Sequence, residues 1–278
     1  MSSFFDLPEF LARSRALDLS GIDWAAARRT PLTAAESRLL PYFIDVEAYT
    51  ILYLKTLLST SAAADPDICD FLACWLYEES YHGRAIERVL EAAGTPLTAG
   101  RPKSVQRPAG ALESLRDLAA GVLSRVVGDD FVAVLMTWGA IQELTTLHGY
   151  RRVADKTANP VLDEVIRRIM RDESRHFGFY YQQAETRLAR SPRARRLTRW
   201  LIDRFWKPVG AGIMPDPDVD FLTAYLFGDP GGLAEASRVD EAIARLPGLE
   251  GWRGLTAFTE GALERTAVRQ PRGEAVLV

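Results

Sequence analysis

The chain has 278 residues, 47% of them hydrophobic and 26% charged, with a formal net charge of −3 and a pI near 5.8. That is enough chain for a sizeable core, and the acidic balance argues against a nucleic-acid partner. No apolar run reaches the roughly 18 residues of a membrane span, and the opening MSSFFDLPEFLARSR lacks the basic-then-apolar order of a secretory signal, so the expected location is the cytoplasm.

Along the chain the pattern is helical throughout, with no segment of strand period. A short helix is expected around 4–16. Thr33 and Glu36 form a capping-box signature, so a first long helix should run from about 33 to 59, through Pro41 near its start. Its apolar stripe, Leu40, Phe43, Ile44, Ile51, Leu54 and Leu58, is interrupted by Glu47. Asp65 followed by Pro66 starts a second helix, 65–93, which Gly94 ends. Its inward face carries Phe71, Trp75, Glu79, His82 and Ile86. Prolines and a glycine mark 95–108 as loop, and a helix is expected over 109–127.

A third long helix, 130–156, turns Met136, Gly139, Glu143, Thr146 and Tyr150 to one side; Gly139, one turn before Glu143, should open space there. After a turn at Asn159 and Pro160, a fourth, 160–190, does the same with Ile169, Glu173, His176 and Tyr180. Helices at 193–209, 218–227, 232–246 and 252–268 complete an accessory C-terminal part of one all-α domain, 1–278. Cys69 and Cys74 lack zinc spacing and read as reduced, buried thiols.

The four long helices share a pattern. Glu79 precedes His82 by three residues and Glu173 precedes His176 by three, although the chain has only three histidines. On a helix such pairs point a carboxylate and an imidazole the same way. Two Glu-x-x-His pairs plus one inward Glu from each of two further helices, here Glu47 and Glu143, are the ligand set of di-iron carboxylate bundles. The alternative is a set of surface or buried salt-bridge residues, but a carboxylate inside an apolar stripe is costly unless paired or metal-bound. Carboxylate and imidazole donors suit iron, with manganese an alternative at one position, and not a thiolate-rich structural zinc. Glu78 and Asp172, beside the ligand positions, are placed to cross the bundle and orient the opposite histidine. His148 lies off the inward stripe and reads as a surface or subunit-contact residue.

The segments WLYEESYHG, MRDESRH and QELTT resemble the W-x-x-E-E-N-R-H-G, A-D-E-K-R-H and Q-E-R-A-T blocks of soluble acyl-(acyl-carrier-protein) desaturases, and FIDVEAYTILYLKTLL aligns with that family's first ligand helix. The resemblance runs from about residue 33 to 260. It implies a ferritin-like four-helix bundle with flanking helices holding two iron ions, usually homodimeric. It also implies electrons from a ferredoxin and a fatty acyl chain presented on acyl carrier protein. It carries over Glu47, Glu79, His82, Glu143, Glu173 and His176 as ligands. Thr146 becomes the hydroxyl on the oxygen-binding side, and Asp172 the link from a histidine to a tryptophan, for which Trp24 is the candidate. Tyr81 departs from the family's basic residue at that place, and the first 32 residues do not align. A hydroxylase or oxidase of a smaller metabolite, and a ferroxidase or metal-handling protein, are the competing expectations. A docking role for Arg187, Arg190, Arg193, Arg195, Arg196 and Arg199 stands against a plain solvated face.

Overall fold

The computed structural model describes residues 5–97, 127–212 and 214–269. All regular structure among them is helical: α1 (Leu7–Arg13), α2 (Ala26–Arg29), α3 (Ala34–Leu58), a 3₁₀ turn (Ser61–Ala64), α4 (Pro66–Ala93), α5 (Asp129–Lys156), α6 (Pro160–Arg190), α7 (Pro192–Phe205), α8 (Asp216–Phe227), α9 (Pro230–Ile243) and α10 (Gly254–Arg269). No described helix is long and apolar enough to cross a membrane. The helix expected over 109–127 lies, but for its last residue, outside the described residues.

The ends of the long helices follow their caps. Thr33 accepts from the Glu36 amide at 3.1 Å while the Glu36 carboxylate accepts from the Thr33 amide at 2.7 Å. Asp65 caps α4 through the amides of Asp67 and Ile68, and Gly94 closes it in the left-handed conformation, φ +85°. Asn159 caps α6 and, fully buried, sends its side-chain amide to the carbonyls of Ala27 and Thr30, which fastens the α2 segment to the start of α6. Helix α7 stops at Phe205, four residues short of the expected end. Pro208 bars Lys207 from helical geometry, and Trp206 turns back to pack against Trp252 at 5.1 Å.

Packing pairs α5 with α6, α3 with α4, and α4 with α6, while α8 and α9 lie on the outer side of α5. Helices α3 and α5 stand further apart, and residues 207–212 and Met214 line the gap. The hold of this segment is local. Tyr42 donates to the Val209 carbonyl at 2.8 Å, and the Gln142 amide donates to the Lys207 carbonyl at 3.1 Å. Gly210, φ +86°, is required there, because a Cβ would fall 1.9 Å from the Tyr42 oxygen. The expected stripe of α3 holds only in its first half. Past Glu47 the burial passes to Leu57, and Ile51 and Leu58 are exposed among the described residues.

Candidate metal centre

Four helices deliver six buried ligand-type side chains to one place: Glu47 from α3, Glu79 and His82 from α4, Glu143 from α5, Glu173 and His176 from α6. They fall into two overlapping groups. Glu47, Glu79, His82 and Glu173 each offer an atom within 4.8 Å of the others, and so do Glu79, Glu143, Glu173 and His176. Glu79 and Glu173 belong to both, as two bridging carboxylates would. Each group then has one terminal carboxylate and one imidazole of its own. Close approach of α3 to α4 permits this: a Cβ on Gly83 would meet the Glu47 Cβ at 3.3 Å, so the position next to His82 has no room for a side chain.

The inner atoms of the cluster face one another across a short gap. Both histidines turn Nδ1 inward, His82 to 3.2 Å from Glu173 Oε1 and His176 to 2.9 Å from Glu79 Oε1. Yet both Nδ1 atoms, Glu79 Oε1 and Glu173 Oε1 are buried without an aligned hydrogen-bond partner. Buried polar atoms left unsatisfied are costly, and these four lie as two imidazole–carboxylate pairs, one imidazole in each group, as a cation in each group would satisfy. Without one the charges are strained. Burial, then Glu79, raises the Glu47 carboxyl well above its usual range. Burial, then Glu173, does the same to Glu143. Burial acts against charging His82 and His176, but Asp172 and Glu173 raise the first and Glu173, Glu78 and Glu79 raise the second, both well above the usual imidazole range. Glu173 moves the other way: burial opposes ionisation, but His176 and His82 hold its carboxylate ionised.

The outer partners cross the bundle as expected. Glu78 of α4 takes Nε2 of His176 at 2.8 Å, and Asp172 of α6 takes Nε2 of His82 at 3.2 Å. Each carboxylate thereby fixes the tautomer that leaves Nδ1 free to bind. Three further contacts lie outside those expectations. Arg175, between Asp172 and His176 in sequence, donates to Glu78 at 3.0 Å and to Asp172 at 2.5 Å, so one guanidinium ties both orienting acids together. Trp75 Nε1 donates to Glu143 Oε1 at 3.1 Å, and the Tyr150 hydroxyl donates to Glu47 Oε1. Each terminal carboxylate thus has one oxygen held by an aromatic donor. Tyr150 could have been found from its place two turns after Glu143 on the same face; Arg175 could not, since an Arg there reads as a surface residue.

Gly139 lines the cavity beside Glu143 as expected, and the missing Cβ also seats the Tyr180 ring, which a Cβ would meet at 2.3 Å. Several other expectations are corrected. Trp24 does not reach Asp172; it stacks under Arg88 at 4.1 Å. His148 is buried at the α5–α9 contact, 2.5 Å from Glu235, and not on the surface. Cys69 and Cys74 are free thiols as expected but half-buried. Of the Arg187–Arg199 cluster, four members make contacts within the chain. Arg187 pairs with Asp65, Arg193 with Asp130 and Arg199 with Asp203, and Arg195 donates to the carbonyls that end α6. The N-terminal region, read as mixed, supplies a seal: Phe10 of α1 is buried against Phe71 and the His176 ring.

On the opposite side of the centre the gap between α3 and α5 is a cavity of about 720 Å³. Glu47, Glu79, Glu143 and Glu173 form part of its wall, with Thr50, Tyr53, Trp138, Thr146, Phe205 and Met214, and half-buried Thr146 sits where it meets the ligands. The cations in that wall are Arg204 and Lys207, both exposed; none of the six clustered arginines takes part. The chain matches no protein-family model, no curated protein and no solved structure.

Proposed function

We propose that the chain is a dioxygen-dependent oxidoreductase built on a ferritin-like four-helix bundle, with two iron ions held by Glu47, Glu79, His82, Glu143, Glu173 and His176. The observation that carries the reading is the pairing of two overlapping ligand groups, sharing Glu79 and Glu173, with a large cavity that has four of the carboxylates in its wall. A metal-storage or ferroxidase role uses no such cavity. Bound iron would supply the electrons that reduce dioxygen to an oxidant able to attack an unactivated C–H bond.

The rest is done by the side chains. Glu78 and Asp172 hold the imidazoles in the binding tautomer. Tyr150 and Trp75 restrict Glu47 and Glu143 to one free oxygen each, which limits how many positions the terminal carboxylates can fill. The aromatic packing of Phe10, Phe71 and Phe179 keeps water from the histidine side. Thr146 Oγ1, at the junction of ligands and cavity, can donate a hydrogen bond or pass a proton there.

The substrate reading follows the desaturase motifs: an acyl chain on acyl carrier protein, with a ferredoxin-type reductant, a homodimer and a cytoplasmic setting. A second reading, hydroxylation or oxidation of a more compact metabolite, is favoured by the polar groups Asp45, Thr50 and Gln142 in the cavity wall. Reduced, iron-loaded protein offered an acyl-carrier-protein panel and free small acids and amines tests both, by oxygen uptake and product mass. Tethered acyl products support the first reading, oxidised small molecules the second. Close to two irons per chain with no substrate-linked oxygen uptake would refute both and leave metal handling.

A further inference from the structure

The two ligand helices repeat a five-residue pattern, Glu78-Glu79-Ser80-Tyr81-His82 on α4 and Asp172-Glu173-Ser174-Arg175-His176 on α6. An acid, a ligand Glu, a Ser and a ligand His recur in order, and only the fourth place differs in kind. Tyr81 packs its ring 5.1 Å from that of exposed Tyr77 and lies under Arg84. Arg175 instead serves both halves of the repeat. One of its nitrogens, Nη2, donates to Glu78 Oε1 at 3.0 Å and to Asp172 Oδ1 at 2.5 Å. The other oxygen of each acid takes a histidine: Glu78 Oε2 meets His176 Nε2, and Asp172 Oδ2 meets His82 Nε2. An unbroken chain of hydrogen bonds, His82–Asp172–Arg175–Glu78–His176, therefore joins the two imidazoles through the nitrogens that face away from the other ligands.

Two carboxylate oxygens bonded to one nitrogen are close neighbours of like charge, and burial leaves little water to screen them. Glu78 is wholly buried and the Asp172 side chain mostly so. The cation between them offsets that repulsion, and charge-assisted bonds of this kind are short and directional. The Phe10 ring, 5.3 Å from the guanidinium carbon, packs against the group and limits where it can go. We infer that Arg175 is a positioning residue shared by both metal positions: it fixes the two acids against each other, and through them the two imidazoles. The inference rests on the proposed centre and adds a residue beyond the six ligands and their two orienting acids. Of the two histidines, Glu78 bonds His176 and Asp172 bonds His82, whereas Arg175 is the one side chain among the described residues that bonds both acids. Its loss should therefore differ in kind from the loss of either acid, because it touches both ligand groups at once.

Cobalt(II) titration of the full chain against a competing chelator provides the test. Arg175→Gln, which removes the charge, should weaken both constants by about three- to tenfold, less than loss of the acids themselves because it acts through them. The ring N–H protons of both cobalt-bound histidines, resolved by their paramagnetic shifts, should exchange faster with solvent. Glu78→Gln should speed only that of His176. Arg84→Ala, which removes an exposed cation from α4, should move neither constant. Arg175→Lys keeps a cation with three donors and should stay closer to the parent in both constants than Arg175→Gln. A loss confined to one constant, a loss below about twofold in both, an equal loss in Arg84→Ala, or no advantage of Arg175→Lys would each overturn the inference. Were Arg175→Gln not to fold, Arg175→Lys would carry the test alone: faster exchange at both protons supports shared positioning, and faster exchange at one or neither overturns it. Fewer than two cobalt ions per parent chain would refute the metal reading and the inference with it. Two ions, with constants and protons indifferent to Arg175, would refute the shared positioning alone.

Discussion

Glu78 and Asp172 perform the same task on opposite histidines, but in different surroundings, and that difference sets unequal costs for neutralising them. Glu78 is wholly buried and meets His176 at 2.8 Å; the Asp172 side chain is 15% exposed and meets His82 at 3.2 Å. Loss of such an orienting carboxylate typically costs 10- to 100-fold in metal affinity, about 1.4 to 2.7 kcal/mol. Burial weakens screening and strengthens the bond, so Glu78→Gln should fall near the upper figure and Asp172→Asn near the lower. Each should act chiefly on its own group of ligands: Glu78→Gln on the position formed with Glu143 and His176, Asp172→Asn on that formed with Glu47 and His82. Glu78→Ala, which leaves His176 without an acceptor and its tautomer free, should cost more than Glu78→Gln. Cobalt(II) titration against a competing chelator, followed by visible absorption, separates the two constants. If neither constant moves by more than twofold, or if both move equally in both variants, the crossed hydrogen bonds do not position the ligands.

His82→Ala should lower iron content from close to two per chain, by metal analysis after anaerobic loading, and an unchanged content would exclude His82 as a ligand. Gly139→Ala should force the Tyr180 ring aside and cost about 1–3 kcal/mol, a melting-temperature fall of at least about 2 °C, with no change expected if the ring has free space. Both histidines are charged in the folded metal-free protein well above the usual imidazole range, so the stability they give is complete below about pH 6.5 and is lost as pH rises through their folded pKa. The raised Glu47 and Glu143 act in the same direction and the lowered Glu173 in the opposite one. Calorimetry of metal-free protein should therefore show a lower melting temperature at pH 9 than at pH 6, and a flat or rising profile would contradict the assignment. Charge reversal at Arg204 and Lys207 should alter the salt dependence of turnover, whereas reversal at exposed Arg190 and Arg196 should not; the opposite result would return the docking role to the cluster. Thr146→Val should leave iron content intact while the ratio of product to oxygen consumed falls, and an unchanged ratio would reduce Thr146 to part of the wall.

What could be read in the sequence was what helical period transmits. Glu47, Glu79, His82, Glu143, Glu173 and His176 each interrupt an apolar stripe, and an interruption of that kind is visible in one dimension because burial of an unpaired acid is expensive. Caps were legible for the same local reason at Thr33 and Asp65, whereas Asn159 read only as a turn. The crossing of Glu78 and Asp172 followed once four helices were set antiparallel about the ligands. Contacts made by length and reach were not legible. Arg175 spans two helices with a long flexible side chain; His148 looks off-stripe until α9 supplies Glu235; and Gly139 was legible as cavity wall but not as the seat of the Tyr180 ring, 41 positions later. The shape of the cavity depends on the segment 206–214, whose position is set by Tyr42 and Gln142 in other helices, and no periodicity describes a segment without regular structure.

The two faces of the candidate centre are built from different materials. The histidine face is saturated: Nε2 atoms engaged, acids tied by Arg175, aromatic rings packed above. Substitutions there disturb the metals first. The carboxylate face is unsaturated, with Thr146 and the free oxygens of Glu47 and Glu143 turned to a cavity whose far wall is a loop and a few apolar side chains. On the proposed function, substitutions in that wall would change which molecule is oxidised without touching a ligand. This is why motifs concentrated on the histidine side carry the metal chemistry further than they carry the substrate.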